Sequence, residues 1–312
     1  MTDQMPLPSN ALVTGASRGI GPQIARALAG EGLGLALAAR SAPALESLAA
    51  ELRDQGHRAL AFPTDVTRRE DLESLVERAE AQLGGIDVLV NNAGGDPFLQ
   101  FHNYRAEDVE RVFRLNILGP IELTRLLLPR MLARRHGHIV NVSSFAGRMG
   151  FPYTEVYAAA KDGLIGFTRV LRTDYRPLGV SASVVVLGAI RDAGQTARTT
   201  EETGVALPRA ARMFSSTAEQ VARAVVRAID RDQAEIVVMP GTGRLTKALL
   251  DYFPTLGAKM NGMTGVNEVM RQVVEVHERE RDAFVATDEA VIARSGGRAG
   301  HATSSSPTTT AL

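Results

Sequence analysis

The sequence predicts a doubly wound α/β fold: a parallel sheet of about seven strands, helices on both faces, and a C-terminal helical extension. Three observations predict it. Short apolar runs alternate with longer helical patterns over residues 9–240. The runs are apolar throughout rather than at every second position, so the strands are buried on both faces. A glycine-rich turn joins the first run directly to the first helix.

The elements follow in order. Ala11–Thr14 reads as a strand, and a helix runs from about Ile20 to Ala29. Leu33–Ala39 is the second strand, with a helix over Ala44–Gln55. Ala59–Phe62 is the third, with a helix over Arg69–Leu83. Val88–Val90 is the fourth, and a long helix spans Ala106–Arg134. His138–Val142 is the fifth, followed by a helix from Glu155 to Tyr175. Val180–Leu187 is the sixth. Arg191–Ser216 reads as irregular, Ala218–Asp230 as helix and Glu235–Met239 as the last strand. These make one domain over 9–255. A helical extension covers 256–285. The tail 295–312, rich in Gly, Ser, Thr and Pro, has too little apolar surface to offset its ordering entropy and is expected to be disordered.

Composition narrows the function classes. The 312 residues are 45% hydrophobic, enough for one large core or two small ones. Thirty-five basic and 35 acidic residues balance, which leaves no electrostatic footprint for nucleic acid or an anionic membrane. There is no cysteine, hence no disulfide or thiolate metal site. Residues 1–10 lack the basic lead and apolar run of a secretion signal, and no stretch approaches the roughly 18 apolar residues of a membrane span. A cytoplasmic protein is expected.

The turn is Thr14-Gly15-Ala16-Ser17-Arg18-Gly19-Ile20-Gly21. Its glycines permit a tight reversal and close approach of a pyrophosphate. The helix that follows offers unpaired N–H groups and the positive end of its dipole. The position between first strand and first helix makes it a dinucleotide site.

The Gly-x-x-x-Gly-x-Gly spacing resembles the short-chain dehydrogenase/reductase family, compact branch. Asp65-Val66 after the third strand is similar to the family's adenine-contacting pair, and Asn91-Asn92-Ala93-Gly94 closes the fourth strand as in the family. Asn116 lies where the family has a catalytic-site asparagine. The resemblance covers residues 9–240 and implies a Rossmann-type fold. It implies cofactor contacts from Gly15, Ser17, Arg18, Gly19, Ile20, Gly21, Arg40, Asp65, Val66, Asn92, Ala93, Gly94, Tyr157, Lys161, Gly188 and Ile190. It also suggests a homodimer or homotetramer built on the helices that carry Asn116 and Tyr157.

NADP(H) is expected over NAD(H). Ala39 stands where NAD-preferring relatives carry an aspartate, and Arg40 and Arg18 can grip a 2′-phosphate in planar, charge-assisted pairs.

Tyr157-Ala158-Ala159-Ala160-Lys161 supplies the chemistry. Residues four apart share a helix face. A free phenol titrates near ~10, too high for a proton shuttle at neutral pH; an ammonium at ~4 Å and an effective dielectric of ~20 favours the phenolate by about 4 kcal/mol. The pattern is common on surface helices, but composition sharpens it. Lysines occur only at 161, 247 and 259 in a chain that otherwise uses arginine. Ser144 ends the fifth strand thirteen residues before Tyr157, the family's spacing, and a hydroxyl there can donate to an oxygen that gains negative charge. Ser143 points to the opposite face. The mechanism implied by the resemblance has Ser144 and Tyr157 hold a carbonyl oxygen, Tyr157 protonate it, Lys161 lower the tyrosine pKa and hold the nicotinamide ribose, and Asn116 anchor a water that resupplies the proton. The substrate the resemblance implies is a small carbonyl compound or alcohol.

Two segments depart from the family. Leu187-Gly188-Ala189-Ile190 lacks the proline and threonine usual after the sixth strand, which leaves the nicotinamide contact open. Leu245–Pro254 has an apolar face that can cover an apolar patch, cap the pocket, form an interface or meet lipid. His136-x-His138 has no acidic cluster beside it and reads as strand-edge surface, so no metal is expected. The alternatives are a reductase of activated C=C bonds, against which the four-residue Tyr–Lys spacing argues, and a non-catalytic nucleotide-binding regulator or scaffold.

Overall fold

The computed structural model describes residues 9–206, 208–213, 215–241, 248–250 and 252–296, with only the backbone of 147, 210, 254 and 282–296. Seven strands form one parallel sheet in the order β3-β2-β1-β4-β5-β6-β7. They are β1 (Asn10–Thr14), β2 (Gly34–Ala39), β3 (Ala59–Pro63), β4 (Val88–Asn91), β5 (Gly137–Ser144), β6 (Val180–Leu187) and β7 (Glu235–Val238). Strand order reverses between β1 and β4, which opens a crevice at the carboxyl ends of those strands.

Successive strand residues face opposite layers. Ala11 and Val13 pack with α1 (Gly21–Gly30), α2 (Ala42–Asp54) and α10 (Ala218–Asp230). Leu12 packs on the other side with α3 (Arg69–Leu83), α5 (Gly119–Arg134) and α7 (Glu155–Tyr175). Leu12 and Val13 are both wholly inaccessible, which is why the apolar runs are continuous. Each such side chain contributes about 1.5–3 kcal/mol. The start of α10 is set by a capping box: Thr217 Oγ1 accepts from Gln220 N (3.2 Å), and Gln220 Oε1 accepts from Thr217 N (2.9 Å).

The long central helix is interrupted. A π-turn, Arg114–Leu118, separates α4 (Ala106–Phe113) from α5. A short α6 (Ala146–Met149) follows β5. The stretch read as irregular after β6 holds α8 (Gly194–Thr203) and α9 (Arg209–Met213). Its threonines and glycine are poor helix formers, so propensity does not reveal α8; tertiary packing holds it.

Beyond β7 come α11 (Pro254–Met263) and α12 (Val266–Gly296). A Cβ at Gly257 would lie 2.3 Å from the Met149 carbonyl oxygen, so α11 sits directly on α6. Leu250 is buried against Phe145, Ile165, Val184 and Val186, so this end of Leu245–Pro254 covers an apolar patch. Helix α12 runs into the expected tail; 297–312, like 242–247, lies outside the described residues. Among the described residues no helix is long and apolar enough to cross a membrane.

The pair His136 and His138 corrects the sequence expectation. His138 is buried in the middle of the sheet, on a strand flanked by β4 and β6, and its Nε2 lies 2.8 Å from Ser183 Oγ. A polar strand residue looks like an edge residue until the neighbouring strand supplies its partner. Among the described residues no group of acidic, His or Cys side chains could hold a metal.

Candidate active site

The crevice begins at the glycine turn. Gly15 (φ +66°) and Gly19 (φ +65°) adopt left-handed backbone, and a Cβ at Gly15 would come within 2.9 Å of Ala93 Cα. A Cβ at Gly21 would strike the Gly15 carbonyl oxygen at 2.0 Å, so the helix packs against its own turn. Asn92 ties the end of β4 to this turn: its Nδ2 donates to Thr14 O (3.0 Å) and Gly15 O (3.3 Å). Thr14 Oγ1 in turn accepts from Asn92 N (3.0 Å) and Ala93 N (3.1 Å).

Arg18 and Arg40 are exposed near the ends of β1 and β2. Burial, and then the positive charges of Arg198 and Arg40, lower the pKa of Arg18. Three guanidiniums thus share one neighbourhood; Arg198, on α8, carried no signal in the sequence. Asp65 is pulled upward by burial, yet hydrogen bonds from Thr67 and the charges of Arg40 and Arg111 hold it below the usual carboxylate range. Val66 is buried, and its carbonyl abuts Gly119 on α5.

Ser144, Tyr157 and Lys161 come together. Ser144 ends β5, its Oγ accepts from Ala146 N (3.2 Å), and its hydroxyl is near enough to Tyr157 to favour the phenolate. Lys161, one turn along α7, lies with Nζ 5.7 Å from the Tyr157 ring centroid and donates to Val142 O at 3.0 Å. It is 3% exposed, and burial pushes its pKa down to about 8. Ser143 faces away and donates to Lys161 O (2.8 Å). Burial pushes Tyr157 up to about 12; the Ser144 bond acts against this and the charge of Asp96 adds to it. That differs from the expectation that the phenol lies well below its ordinary value: burial is the largest influence on it here.

Asn116 stands in the π-turn, wholly buried. Its Nδ2 donates to Gly95 O (2.8 Å) and Val112 O (2.9 Å), and its Oδ1 accepts from Gly95 N (3.1 Å). A Cβ at Gly94 would meet Asn116 Oδ1 at 2.8 Å and Lys161 Nζ at 3.0 Å, so bare backbone separates the two. The segment after β6 is fixed despite Leu187. Gly188 N donates to Val238 O (3.1 Å), and Ile190 bridges to Ser216.

Helix α8 roofs the crevice. The backbone of Gly194 lies 3.3 Å from where a Gly19 Cβ would be, and Gln195 Nε2 donates to Asp96 O (2.7 Å). Asp96 escaped sequence reading. It is 5% exposed, its Oδ1 accepts from Phe98 N (3.0 Å) and Tyr104 Oη (2.8 Å), and burial raises its pKa to about 6.

A sheet with a glycine turn at its switch point, and a buried lysine one helical turn from a tyrosine beside it, define a dinucleotide-dependent oxidoreductase. Residues 9–203 match the family model described as short chain dehydrogenase, and the chain belongs to that family. The chain is 38% identical to the ketoacyl reductase HetN of Nostoc sp. over 282 residues, 89% of this chain and 96% of that protein. It is 37% identical to a 3-oxoacyl-[acyl-carrier-protein] reductase of Synechocystis sp. over 58% of this chain and 73% of that one. A metagenomic short-chain oxidoreductase solved in complex with NADP is 29% identical, with a TM-score of 0.64 over 75% of this chain and 97% of that one. The protein is an NAD(P)-dependent oxidoreductase of this family.

Proposed function

We propose that the protein moves hydride between NADP(H) and the carbon of a ketone or secondary alcohol, with Ser144, Tyr157, Lys161 and Asn116 as its catalytic set. The observation that carries this is the Tyr157 phenol set between the Ser144 hydroxyl, which favours its phenolate, and the Lys161 ammonium, 5.7 Å from its ring centroid. The glycine cradle and the buried, carboxylate-free Lys161 suit a dinucleotide, and the cluster of Arg18, Arg40 and Arg198 suits a 2′-phosphate. When bound, the nicotinamide supplies or accepts the hydride.

The chain's own residues handle the oxygen and its proton. Ser144 and Tyr157 hold the substrate oxygen by donating to it. Tyr157, protonated throughout the neutral range, releases its proton as the oxygen gains charge. Lys161 then faces a phenolate; at ~6 Å and an effective dielectric of ~20 the attraction is about 3 kcal/mol, realised only as the proton leaves. With Lys161 at about 8, its charge changes near neutrality, and reduction should fall as pH rises through that value. Asn116 keeps Gly94–Gly95 against Lys161. A cytoplasmic homo-oligomer is proposed, joined through α4–α5 and α7, where Leu118 and Val170 are exposed at 47% and 61%.

The test is turnover of a ketone panel followed by NADPH absorbance. Tyr157→Phe should lose about 10²–10⁴-fold in kcat while keeping its Tm and NADPH affinity. Tyr153→Phe should stay active. Wild-type turnover by Tyr157→Phe would sink the assignment and favour a nucleotide-binding regulator.

A further inference from the structure

Beside the crevice lies a cavity whose walls come from four places in the chain. Phe98 follows β4, Phe151 precedes α7, Thr199 sits on α8 with Val205 just past its end, and Met270 and Val273 come from α12. The last two lie far beyond residue 203, where the match to the family model ends. Val266, Met270, Val273 and Val274 form one buried cluster with Phe98, and Phe151, Tyr153, Val205 and Ala211 pack on it.

Helix α12 is fastened rather than merely apposed. Glu278 accepts from Gln100 N (3.0 Å), Gln100 Nε2 (3.0 Å) and Asn103 Nδ2 (2.8 Å). Arg281 pairs with Asp108 at 3.1 Å, and the His277 ring stacks on Phe98 at 6.4 Å between centroids. Phe98 and Tyr153 hold left-handed backbone, φ +50° and +60°, unusual for aromatic residues. Strain persists where surrounding packing over-determines it, and both residues contribute to the α12 cluster.

One wall residue is chemically out of place. Thr199 is 6% exposed, and its hydroxyl has no hydrogen-bond partner among the described residues. A helical threonine ordinarily donates to the carbonyl four residues back, as Thr200 does to Thr196 (3.0 Å) and Thr203 to Thr199 (2.7 Å). Thr199, on the same helix, does not. A buried hydroxyl left without a partner in an apolar wall is costly, and a ligand acceptor would relieve that cost.

We propose that this cavity receives the non-reacting arm of the ketone, an apolar chain carrying one carbonyl-type acceptor, and that Thr199 Oγ1 donates to that acceptor. The inference rests on the oxidoreductase reading above. Phe151 and Tyr153 lead directly into α7, so the arm would lie beside the start of the helix that bears Tyr157. Apolar residues of α12 set the size of the arm, and Thr199 sets where its polar group falls.

The test uses two linear ketones of similar length on the full chain. Butyl levulinate carries an ester carbonyl in its arm, and 2-nonanone carries none. Calorimetric binding reads the cavity without turnover. NADPH-linked reduction of 2-butanone, too short to reach the cavity, reads the oxidoreductase alone. Wild type should prefer butyl levulinate, and Thr199→Val should cut that preference about tenfold, the value of one hydrogen bond. Thr199→Ser should restore it. Met270→Phe should weaken both long ketones and spare 2-butanone. The proposal is overturned if wild type binds neither long ketone, or if Thr199→Val leaves the preference unchanged. Loss of 2-butanone turnover alone would instead count against the oxidoreductase reading.

Discussion

The two ends of the sheet treat polar groups differently. At the amino ends of the strands, polar side chains satisfy one another. Asn10 Nδ2 donates to Leu83 O and Gly85 O, Ser183 donates to Gln233 O (2.6 Å) while lying 2.8 Å from His138, and Asp232 takes Arg172, Arg176 and Ser181 together. At the carboxyl ends, capacity is left over. Asp96 Oδ2 and Thr199 Oγ1 are buried without partners among the described residues, and Lys161 meets a lone carbonyl. Satisfied networks fix one conformation; unsatisfied ones wait for a ligand. Glu80 Oε1, 3.7 Å from Arg134, and His136 are exceptions at the amino end; both His136 ring nitrogens are buried and unpartnered among the described residues, and nothing in the structure explains it.

The largest expected effect that separates the ends is Asp232→Ala. Arg172, 17% exposed at its side chain, would lose its carboxylate, and Ser181 and Arg176 their acceptor. Stranding a partly buried charge costs about 3–5 kcal/mol when it is fully desolvated, and about 2–3 kcal/mol here. Thermal unfolding should show a clear fall in Tm, with kcat and KM per folded molecule unchanged. A loss of turnover without a loss of Tm would erase the distinction between the ends.

Arg40→Asp tests the opposite end. Arg40 is exposed, and the substitution should leave Tm within ~1 °C. It removes a charge-assisted donor and adds repulsion beside Arg18, so NADPH affinity should fall by about 2 kcal/mol, some thirtyfold. NADH affinity should stay or improve. Equal wild-type affinity for the two cofactors, measured by fluorescence titration, would remove the NADP(H) preference.

What the sequence made legible follows the same division. The glycine turn, the Tyr157–Lys161 pair and Ser144 lie on single elements or at fixed distances from them, so local spacing exposes them. Arg198, Thr199, Met270 and Asp96 reach their neighbours only because α8 and α12 fold back over the end of β4. Each is unremarkable in its own segment; α8 is a threonine-rich run of poor helix formers. His138 looks like an edge residue for the converse reason: its partner Ser183 lies on the next strand. The strands themselves were clear, because burial on both faces needs no knowledge of neighbours.

The smallest effect contrasts the two ends through pH. Burial raises Asp96 from the usual 3.8 to about 6, with Glu155 adding to the rise and donors from Phe98 and Tyr104 resisting it. A raised carboxyl contributes stability that is complete below its unfolded pKa and is lost as pH climbs through about 6. Burial lowers His138 from 6.5 to about 4, so its contribution is complete above 6.5 and is lost as pH falls through about 4. Between pH 4 and 6 the two slopes oppose, and wild-type stability should be nearly flat there from these groups. Asp96→Asn keeps an acceptor for Phe98 N–H and removes one slope. Chemical denaturation of this variant should then show stability rising by about 1–2 kcal/mol from pH 4 to 6, the His138 contribution discounted for relaxation of the buried ring. A variant profile as flat as wild type would mean that Asp96 does not sit buried and partly unpartnered at the carboxyl end, and the comparison between the ends would lose its clearest electrostatic case.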